Sequence, residues 1–170
     1  GIGDTAALLE TVRGAHAHSI QVCYNLLNPS AGMPVPAGFA FQDFRRLIDR
    51  AAERQMGVLA MRVLAAGALS GSRQRHPLAD KGFVPIASGK EYVEDVAHAS
   101  RYRFLVDEGY SACLAEAAVR FAISKPEVST ALVGFSSAEQ LQQAVQWVAK
   151  GPLPREALER VAAAAAPPLG

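Results

Sequence analysis

The apolar residues of this chain fall into helical repeats separated by short β-rich runs. Residues 19–25, 58–63 and 128–133 form the β-rich runs, and the second of them is apolar on both faces, as a buried parallel strand is. Apolar positions at helical spacing predict the remaining elements. The predicted helices span residues 4–15, 42–55, 90–108, 114–125, 136–150 and 154–165, with Asp4 as the first N-cap and Gly57 as the breaker of the second helix.

The order of these elements indicates an α/β fold in which βα units build a parallel sheet. Counted from Ile20 to Val58, the first two predicted strands lie 38 residues apart, close to the roughly 31 residues of one unit in an eight-stranded barrel. The third begins about 70 residues after the second, which leaves either a missed strand at 83–86 or an insertion. Pro85 would remove a ladder hydrogen bond from that strand, so we expect the insertion. Three strands cannot close a barrel, and we predict a partial (β/α)8 TIM barrel, a fragment of a larger domain.

Composition and charge narrow the function classes. Half of the 170 residues are hydrophobic, so the chain is not of the disordered class. Seventeen Lys and Arg against sixteen Asp and Glu leave a net charge of +1, without the basic footprint that nucleic acid requires. The apolar stretch 57–69 is interrupted by Arg62 and is too short to span a membrane. The two cysteines and the absence of a signal segment favour a cytoplasmic protein, and the first residues look internal to a longer chain.

Two turns that follow predicted strands are candidate anion sites. Residues 134–137 offer backbone N–H groups and hydroxyls at the start of a helix whose Ser136 and Glu139 have capping-box spacing. The alternative is an ordinary helix cap, which is the commoner use of serine. Residues 65–71 form a small-residue loop that could lie against a diphosphate, with Arg62 or Arg73 supplying charge. Ordinary turn chemistry is the alternative here.

Several segments resemble the aldo-keto reductases. They are QVCYNLL at 21–27, LAMRVLAAGAL at 59–69, AVRFAIS at 118–124 and VSTALVG at 128–134. The resemblance covers nearly the whole chain and implies the C-terminal part of the barrel, from the end of strand five through strand eight. It also implies NADP(H)-dependent reduction of an aldehyde or ketone, with hydride from the nicotinamide and a tyrosine as proton donor.

The resemblance assigns cofactor roles to eleven residues of this chain. Gln21 would hydrogen-bond the nicotinamide carboxamide, although a polar side chain satisfied inside the barrel is the alternative. Met61 stands where many members have a tyrosine stacked on the nicotinamide, and Arg62 would approach the diphosphate or line its rim. Gln140 replaces an arginine that many members use for the 2′-phosphate, so NAD is possible beside NADP. The loop over the diphosphate would contain Leu64, Gly67 and Leu69, and the 2′-phosphate pocket would contain Gly134, Phe135, Ser136, Ser137 and Gln140.

The resemblance places no catalytic residue in this chain. The Tyr, Lys, His and Asp of the family lie on strands one to four, which the chain does not contain. His16 and His18 lack a third ligand, so no metal site is expected. The expected partner is a small carbonyl substrate, and the oligomeric state is left open. A second hypothesis is a catalytically weak, nucleotide-binding sensor or regulatory protein, which departures such as Met61, Gln140 and Ala144 would permit.

Overall fold

The computed structural model describes residues 3–14, 17–79, 82 and 84–165. Within them, helices and strands follow one another in the order of a βα protein, and the three strands form one sheet. The α-helices are α1 (Thr5–Gly14), α2 (Leu47–Glu53), α3 (Tyr92–Ala99), α4 (Phe104–Asp107), α5 (Leu114–Ala122), α6 (Ala138–Ala149) and α7 (Arg155–Ala164). The strands are β1 (Ser19–Cys23), β2 (Gly57–Met61) and β3 (Thr130–Ala131), and two 3-10 helices cover Ala65–Ser70 and Ser100–Tyr102.

The sheet is parallel and its strands lie in the order β1, β2, β3. β1 pairs with β2 along its whole length, from Ser19 opposite Gly57 to Cys23 opposite Met61. β3 pairs with β2 over two residues only. The predicted strands and their order are therefore confirmed, and β2 is the central strand of this sheet. Between β2 and β3, residues 84–86 of the alternative strand are not in a sheet, whereas Phe83 lies outside the described residues.

The core lies between the sheet and the helices that cover it. On α5, every residue except Ala115 is buried, and its Phe121 ring lies 4.9 Å from that of Tyr24, centroid to centroid. α1 begins where its sequence predicts, because the Asp4 carboxylate accepts hydrogen bonds from the Ala6 and Ala7 amides. No helix among the described residues is long and apolar enough to cross a membrane.

The second helix is shorter than its apolar spacing predicts. Arg45 and Arg46 have left-handed backbone, which excludes a continuous helix from residue 42. Residues 42–44 instead bind the loop after β1: the Phe44 amide donates to the Ser30 hydroxyl, and the Asn28 amide donates to the carbonyl of residue 42. Gly57 does not end the helix either. The helix ends at Glu53, and Gly57 is the first residue of β2.

Two further boundaries differ from the prediction. The helix predicted over 90–108 is broken into α3, a 3-10 turn and α4. The run 128–133 contributes only two residues to the sheet, since no further strand pairs with its other side in the described chain. Both differences affect where the segments end, and neither changes the order of the βα units.

Candidate functional site

A cleft of about 800 Å³ opens where β2 and β3 end. One wall is the turn that follows β2, and the other is the start of α6. Because the carboxyl ends of parallel strands meet at one edge of a sheet, ligand sites of α/β folds gather there. Most of the lining comes from three segments, residues 61–67, 74–79 and 132–136. The two turns that the sequence offered as candidate anion sites, around Gly67 and Ser136, therefore face one crevice.

The turn after β2 is built from left-handed backbone. Arg62, Ala65 and Ala66 all have positive φ, as does Gly67. Non-glycine residues adopt this conformation only where the surroundings impose it. Part of that support is a hydrogen bond of 2.8 Å that the Asn25 side-chain amide donates to the Arg62 carbonyl. The turn is therefore held in a fixed shape at the mouth of the cleft.

The Arg62 side chain is half-buried at this turn. Burial lowers the pKa of its guanidinium, and the charge of Arg75 lowers it further. Beneath it, burial raises the pKa of the Cys23 thiol to about 12, so this cysteine is a neutral core residue and not a nucleophile. The described residues that line the cleft include no aspartate or glutamate. The charged groups of the lining are thus cationic.

The segment 72–79, which we call the strap, closes one side of the cleft. The Tyr92 hydroxyl on α3 donates a 2.9 Å hydrogen bond to the Ser72 carbonyl. The guanidinium carbon of Arg75 lies 4.2 Å from the centroid of the Tyr92 ring. Arg73, which the sequence offered as a phosphate contact, is exposed and does not line the cleft, whereas Arg75 does.

The opposite wall carries a helix cap that differs by one residue from the predicted one. The Ser137 hydroxyl, not that of Ser136, is the N-cap of α6 and accepts from the Gln140 amide at 3.4 Å. The Gln140 side-chain oxygen accepts from the Ser136 amide at 2.8 Å. The predicted pairing of Ser136 with Glu139 is therefore wrong, and Gln140 rather than Glu139 completes the cap. Glu139 is exposed, and its own backbone amide together with the Ser137 hydroxyl holds the pKa of its carboxyl below the usual range.

The cleft gathers most of the residues that the resemblance singles out. Gln21 does not line it and is exposed on β1. Leu69 is fully buried beneath the turn, and the Ser137 hydroxyl is engaged in the cap. Their roles toward a cofactor stay predictions. The eight that line the cleft are Met61, Arg62, Leu64, Gly67, Gly134, Phe135, Ser136 and Gln140.

Several polar and aromatic residues of the lining were not predicted from the sequence. Arg75 and His76 belong to the strap, Tyr92 to α3 and Trp147 to the middle of α6. Nothing in the local pattern brings Tyr92 beside a turn some twenty-five residues earlier. Trp147 follows Ala144 by one helical turn, and Ala144 was already suspected of facing the cofactor. Helical spacing was therefore the available signal for Trp147.

A match to a protein-family model identifies the family of the chain that forms this cleft. Residues 5–166 match the model of the aldo/keto reductase family. The chain belongs to the aldo/keto reductase family. Members of this family are (β/α)8 barrels, and the three parallel strands are part of such a barrel. The resemblance drawn from the sequence is confirmed.

Solved structures of aldo/keto reductases share the fold. The apo form of aldo-keto reductase AKR11C1 from Bacillus halodurans superposes with a TM-score of 0.60 at 20% identity, over 95% of this chain and 48% of that chain. Its holo form gives a TM-score of 0.61 at 20% identity, over 98% and 50%. The chain thus spans about half the length of these reductases. No curated protein matched the sequence.

The tyrosines and histidines do not assemble into a second reactive site within the described chain. Burial raises the pKa of the Tyr24 phenol, and raises that of Tyr102 to about 12. Neither tyrosine lines the cleft. The described residues contain no group of three metal-ligating side chains, and His16 lies outside them.

Proposed function

We propose that this chain is the C-terminal part of a single reductase barrel and that its cleft holds the nicotinamide dinucleotide. The observation that carries the proposal is the cationic cleft at the carboxyl ends of β2 and β3 in a member of this family. When bound, the dinucleotide supplies the hydride that reduces an aldehyde or ketone to an alcohol. The described residues bind and orient the dinucleotide, and the proton donor comes from the other part of the barrel.

The assignment to part of a barrel is supported by surfaces that nothing in the described chain covers. β1 and β3 each have one unpaired edge. Leu141, Val145 and Val148 form an apolar stripe along α6, with exposures of 48, 62 and 47%. A barrel has no free edges, and its helices bury such stripes against their neighbours. The missing strands and helices of the other half would cover both features.

The chemistry of the cleft fits a dinucleotide. The volume falls within the range of about 300–1,000 Å³ that is usual for ligand pockets. The N-terminus of α6, a twelve-residue helix whose Ser136 and Gln140 line the cleft, brings the positive end of its dipole to this wall. Of the lining residues that the structure describes, none carries a carboxylate that would repel phosphates. The arrangement therefore favours a ligand that carries several negative charges.

Individual residues are assigned to parts of the dinucleotide. Met61 would contact the nicotinamide ring through its thioether, and Gln21 would reach the carboxamide. The turn with Leu64, Gly67 and the supporting Leu69 would lie along the diphosphate, beside Arg62. The loop of Gly134, Phe135, Ser136 and Ser137, closed by Gln140, would hold the ribose and its 2′-phosphate. We propose NADP as the cofactor. NAD is the alternative, because Gln140 does not offer a charge to the 2′-phosphate.

The partner of the complete site is proposed to be a small carbonyl compound. A net charge of +1 is not that of a protein with an extended basic surface, which argues against nucleic acid as a partner. No membrane partner is proposed. The cytoplasm is the proposed compartment, since Cys23 is a reduced core thiol and the described residues contain no disulfide.

Intrinsic fluorescence provides the test. Trp147 is the one tryptophan of the sequence, and it lines the cleft. Titration with NADPH and with NADH should quench its emission, with the tighter dissociation constant for NADPH. Gln21→Ala should weaken binding by about 1–2 kcal/mol, the cost of one hydrogen bond left unmade. Gln140→Arg should shift the preference further toward NADPH by about tenfold, through a charge-assisted bond to the 2′-phosphate.

A matched control separates binding from a change of fold. Gln146→Arg adds the same charge to α6 at an exposed position that does not line the cleft. It should leave both dissociation constants within about twofold. Unchanged Trp147 emission with both dinucleotides, together with no heat of binding by calorimetry, would remove the cofactor assignment.

A further inference from the structure

A second cavity, of about 180 Å³, opens between three segments that are far apart in the sequence. They are residues 39–41 of the loop before α2, the end of α3 with the 3-10 turn that follows it, and residues 164–165 at the end of α7. We call it the small cavity. Among the described residues, none lines both the small cavity and the cleft. α3 therefore reaches two cavities, the cleft through Tyr92 in its first turn and the small cavity through His98 in its last.

Aromatic rings form much of the wall of the small cavity. The Phe39 and Phe41 rings pack edge to face with 5.6 Å between their centroids, and the Phe41 ring lies 5.3 Å from the His98 ring. Tyr102 adds a buried ring. Aromatic pairs stabilise each other beyond the area that they bury, so this wall favours a planar ring as its occupant. An apolar cavity of about 150 Å³ accommodates benzene, and the volume here therefore suffices for one substituted six-membered ring.

Two polar groups of this wall lack a hydrogen bond within the described chain. The Nδ1 atom of His98 is buried without a partner. Tyr102 is only 3% exposed, and its hydroxyl likewise makes no hydrogen bond with a described residue. Burial raises the pKa of this phenol to about 12, so the hydroxyl stays protonated and can donate. Because buried polar groups are nearly always hydrogen-bonded, the two groups indicate an occupant with polar atoms.

Arg101 determines the charge that such an occupant should carry. Its side chain is exposed, lines the small cavity and forms no ion pair with a described residue. Its charge acts on the Tyr102 phenol, which shows that the two groups lie near each other. The described residues that line the small cavity include no aspartate or glutamate. A guanidinium in this setting favours a carboxylate, which it binds through paired N–H donors.

We propose that the small cavity binds a small aromatic carboxylate of the size of benzoate. The ring would pack against Phe39 and Phe41, and the carboxylate would accept hydrogen bonds from Arg101, with His98 and Tyr102 as further donors. The proposal does not depend on the cofactor assignment of the cleft. It gives α3 a ligand at the end opposite Tyr92.

Amide NMR of the isotope-labelled 170-residue chain, titrated with benzoate, locates the ligand. Benzoate should move the signals of residues 39–41 and 98–102, with a dissociation constant of about 1 mM or below, and should leave those of residues 64–67 and 134–136 in place. Shifts confined to the cleft residues would overturn the proposal. No shift at either place would assign the unpaired groups to water and would overturn it as well.

Two fragments of the probe test the chemical class. Benzyl alcohol keeps the ring without the charge, and acetate keeps the charge without the ring. Each should bind at least about tenfold more weakly than benzoate, because each loses one of the two kinds of contact. Equal affinity for benzyl alcohol would overturn the choice of an acid, and equal affinity for acetate would overturn the choice of a ring.

A pair of neighbouring arginines provides matched variants. Arg101→Gln removes the lining cation, whereas Arg103→Gln removes an exposed arginine that does not line the small cavity. Arg101→Gln should raise the benzoate dissociation constant about tenfold and bring it within about twofold of that for benzyl alcohol. Arg103→Gln should change it by less than about twofold. Equal affinities of the two variants would overturn the role of Arg101.

Variants of the two unpaired groups keep their rings. Tyr102→Phe and His98→Phe each remove one donor and should each raise the benzoate dissociation constant about threefold, while the affinity for benzyl alcohol changes less. Circular dichroism melts establish that every variant keeps the fold. Benzoate affinities equal to that of the wild type in both variants would overturn the assignment of these groups as donors.

A chain that ends at Ala165 tests whether the protein supplies its own occupant. Residues 166–170 follow the wall of the small cavity directly in the sequence. The shortened chain should bind benzoate with an affinity within about twofold of that of the 170-residue chain. Binding that appears only after residues 166–170 are removed would assign the small cavity to the C-terminal segment and would overturn the proposal.

Discussion

α5 and α6 are consecutive helices of one sheet protein, yet their burial differs sharply. Eight of the nine residues of α5 are buried, including the charged Glu116 and Arg120. Of the twelve residues of α6, only Ala144 is buried. α5 packs into a core that this chain completes, whereas α6 packs on α5 and presents its apolar stripe outward. The stable part of the fold is therefore the part around β1, β2 and α5.

The candidate cleft lies beside α6, the less buried of these two helices. The cap of α6 and the loop before it form one wall, and the well-packed end of β2 supports the other. Regions with few buried apolar contacts open more easily than the core does. A ligand that bridges the two walls would join a well-packed region to a less buried one. Equivalent truncations on α5 and α6 should therefore change the free energy of unfolding by different amounts.

The largest contrast is expected from truncating one apolar side chain on each helix. Phe121 on α5 is fully buried against Tyr24, so Phe121→Ala should lower the free energy of unfolding by about 3–5 kcal/mol. Val145 on α6 is mostly exposed, so Val145→Ala should lower it by less than about 0.5 kcal/mol. Urea unfolding followed by circular dichroism measures both. Comparable losses would mean that the two helices are equally supported.

The buried charges of α5 should give the next largest effect. The Glu116 carboxylate accepts from the Arg120 guanidinium at 3.1 Å and from the Lys150 ammonium at 2.8 Å. Glu116→Gln leaves Arg120 beneath the surface without its counter-charge. We expect a loss of about 2–4 kcal/mol, below the usual cost for a fully enclosed pair because Lys150 is half exposed. Arg155→Gln, which breaks an exposed pair on α7, is the control and should cost under about 1 kcal/mol.

This cluster also predicts a pH dependence. Burial by itself would raise the pKa of Glu116, but the hydrogen bonds from Lys150, the Ala112 amide and Arg120 together hold it below its ordinary value. The stabilisation is therefore complete above the unfolded-state pKa of about 4.3 and is lost as pH falls through the lower folded-state pKa. As pH falls below about 5, wild type should lose stability more steeply than Glu116→Gln. Parallel curves would show that Glu116 is not the titrating group.

The sequence predicted the order of the elements better than their ends. Spacing of apolar residues located every βα unit, because burial of one face dictates that pattern. It overextended α2, since Phe41 and Phe44 are apolar residues of a loop. That loop is held by a hydrogen bond from the Phe44 amide to the Ser30 hydroxyl and by one from the Asn28 side chain to the carbonyl of residue 42. The left-handed turn at Arg45 has no marker in the sequence, because arginine rarely adopts it.

For the site, local sequence patterns predicted the two walls of the cleft but not the strap and Tyr92, which complete it. Glycines and serines after strands marked the turn at Gly67 and the loop at Ser136. The strap and Tyr92 reach the cleft through contacts between distant segments, and no local spacing encodes such contacts. The cap of α6 was placed one residue early because two adjacent serines satisfy the same pattern, and only the hydrogen bonds distinguish them.

The smallest expected effect concerns that cap. Ser137→Ala removes the acceptor of the Gln140 amide and should cost about 0.5–2 kcal/mol of stability, chiefly as fraying of the first turn of α6. Ser136→Ala is the matched control, since its hydroxyl does not serve as the N-cap, and should cost less than about 0.5 kcal/mol. Urea unfolding measures both. The reverse order would restore Ser136 as the cap.

Amide hydrogen exchange with and without NADPH tests the central claim most directly, namely that one ligand bridges the rigid and the exposed region. We predict slower exchange in two separate segments, residues 62–79 and 134–141, while the already protected amides of α5 stay unchanged. Protection confined to one segment, or absent from both at saturating NADPH, would contradict the account.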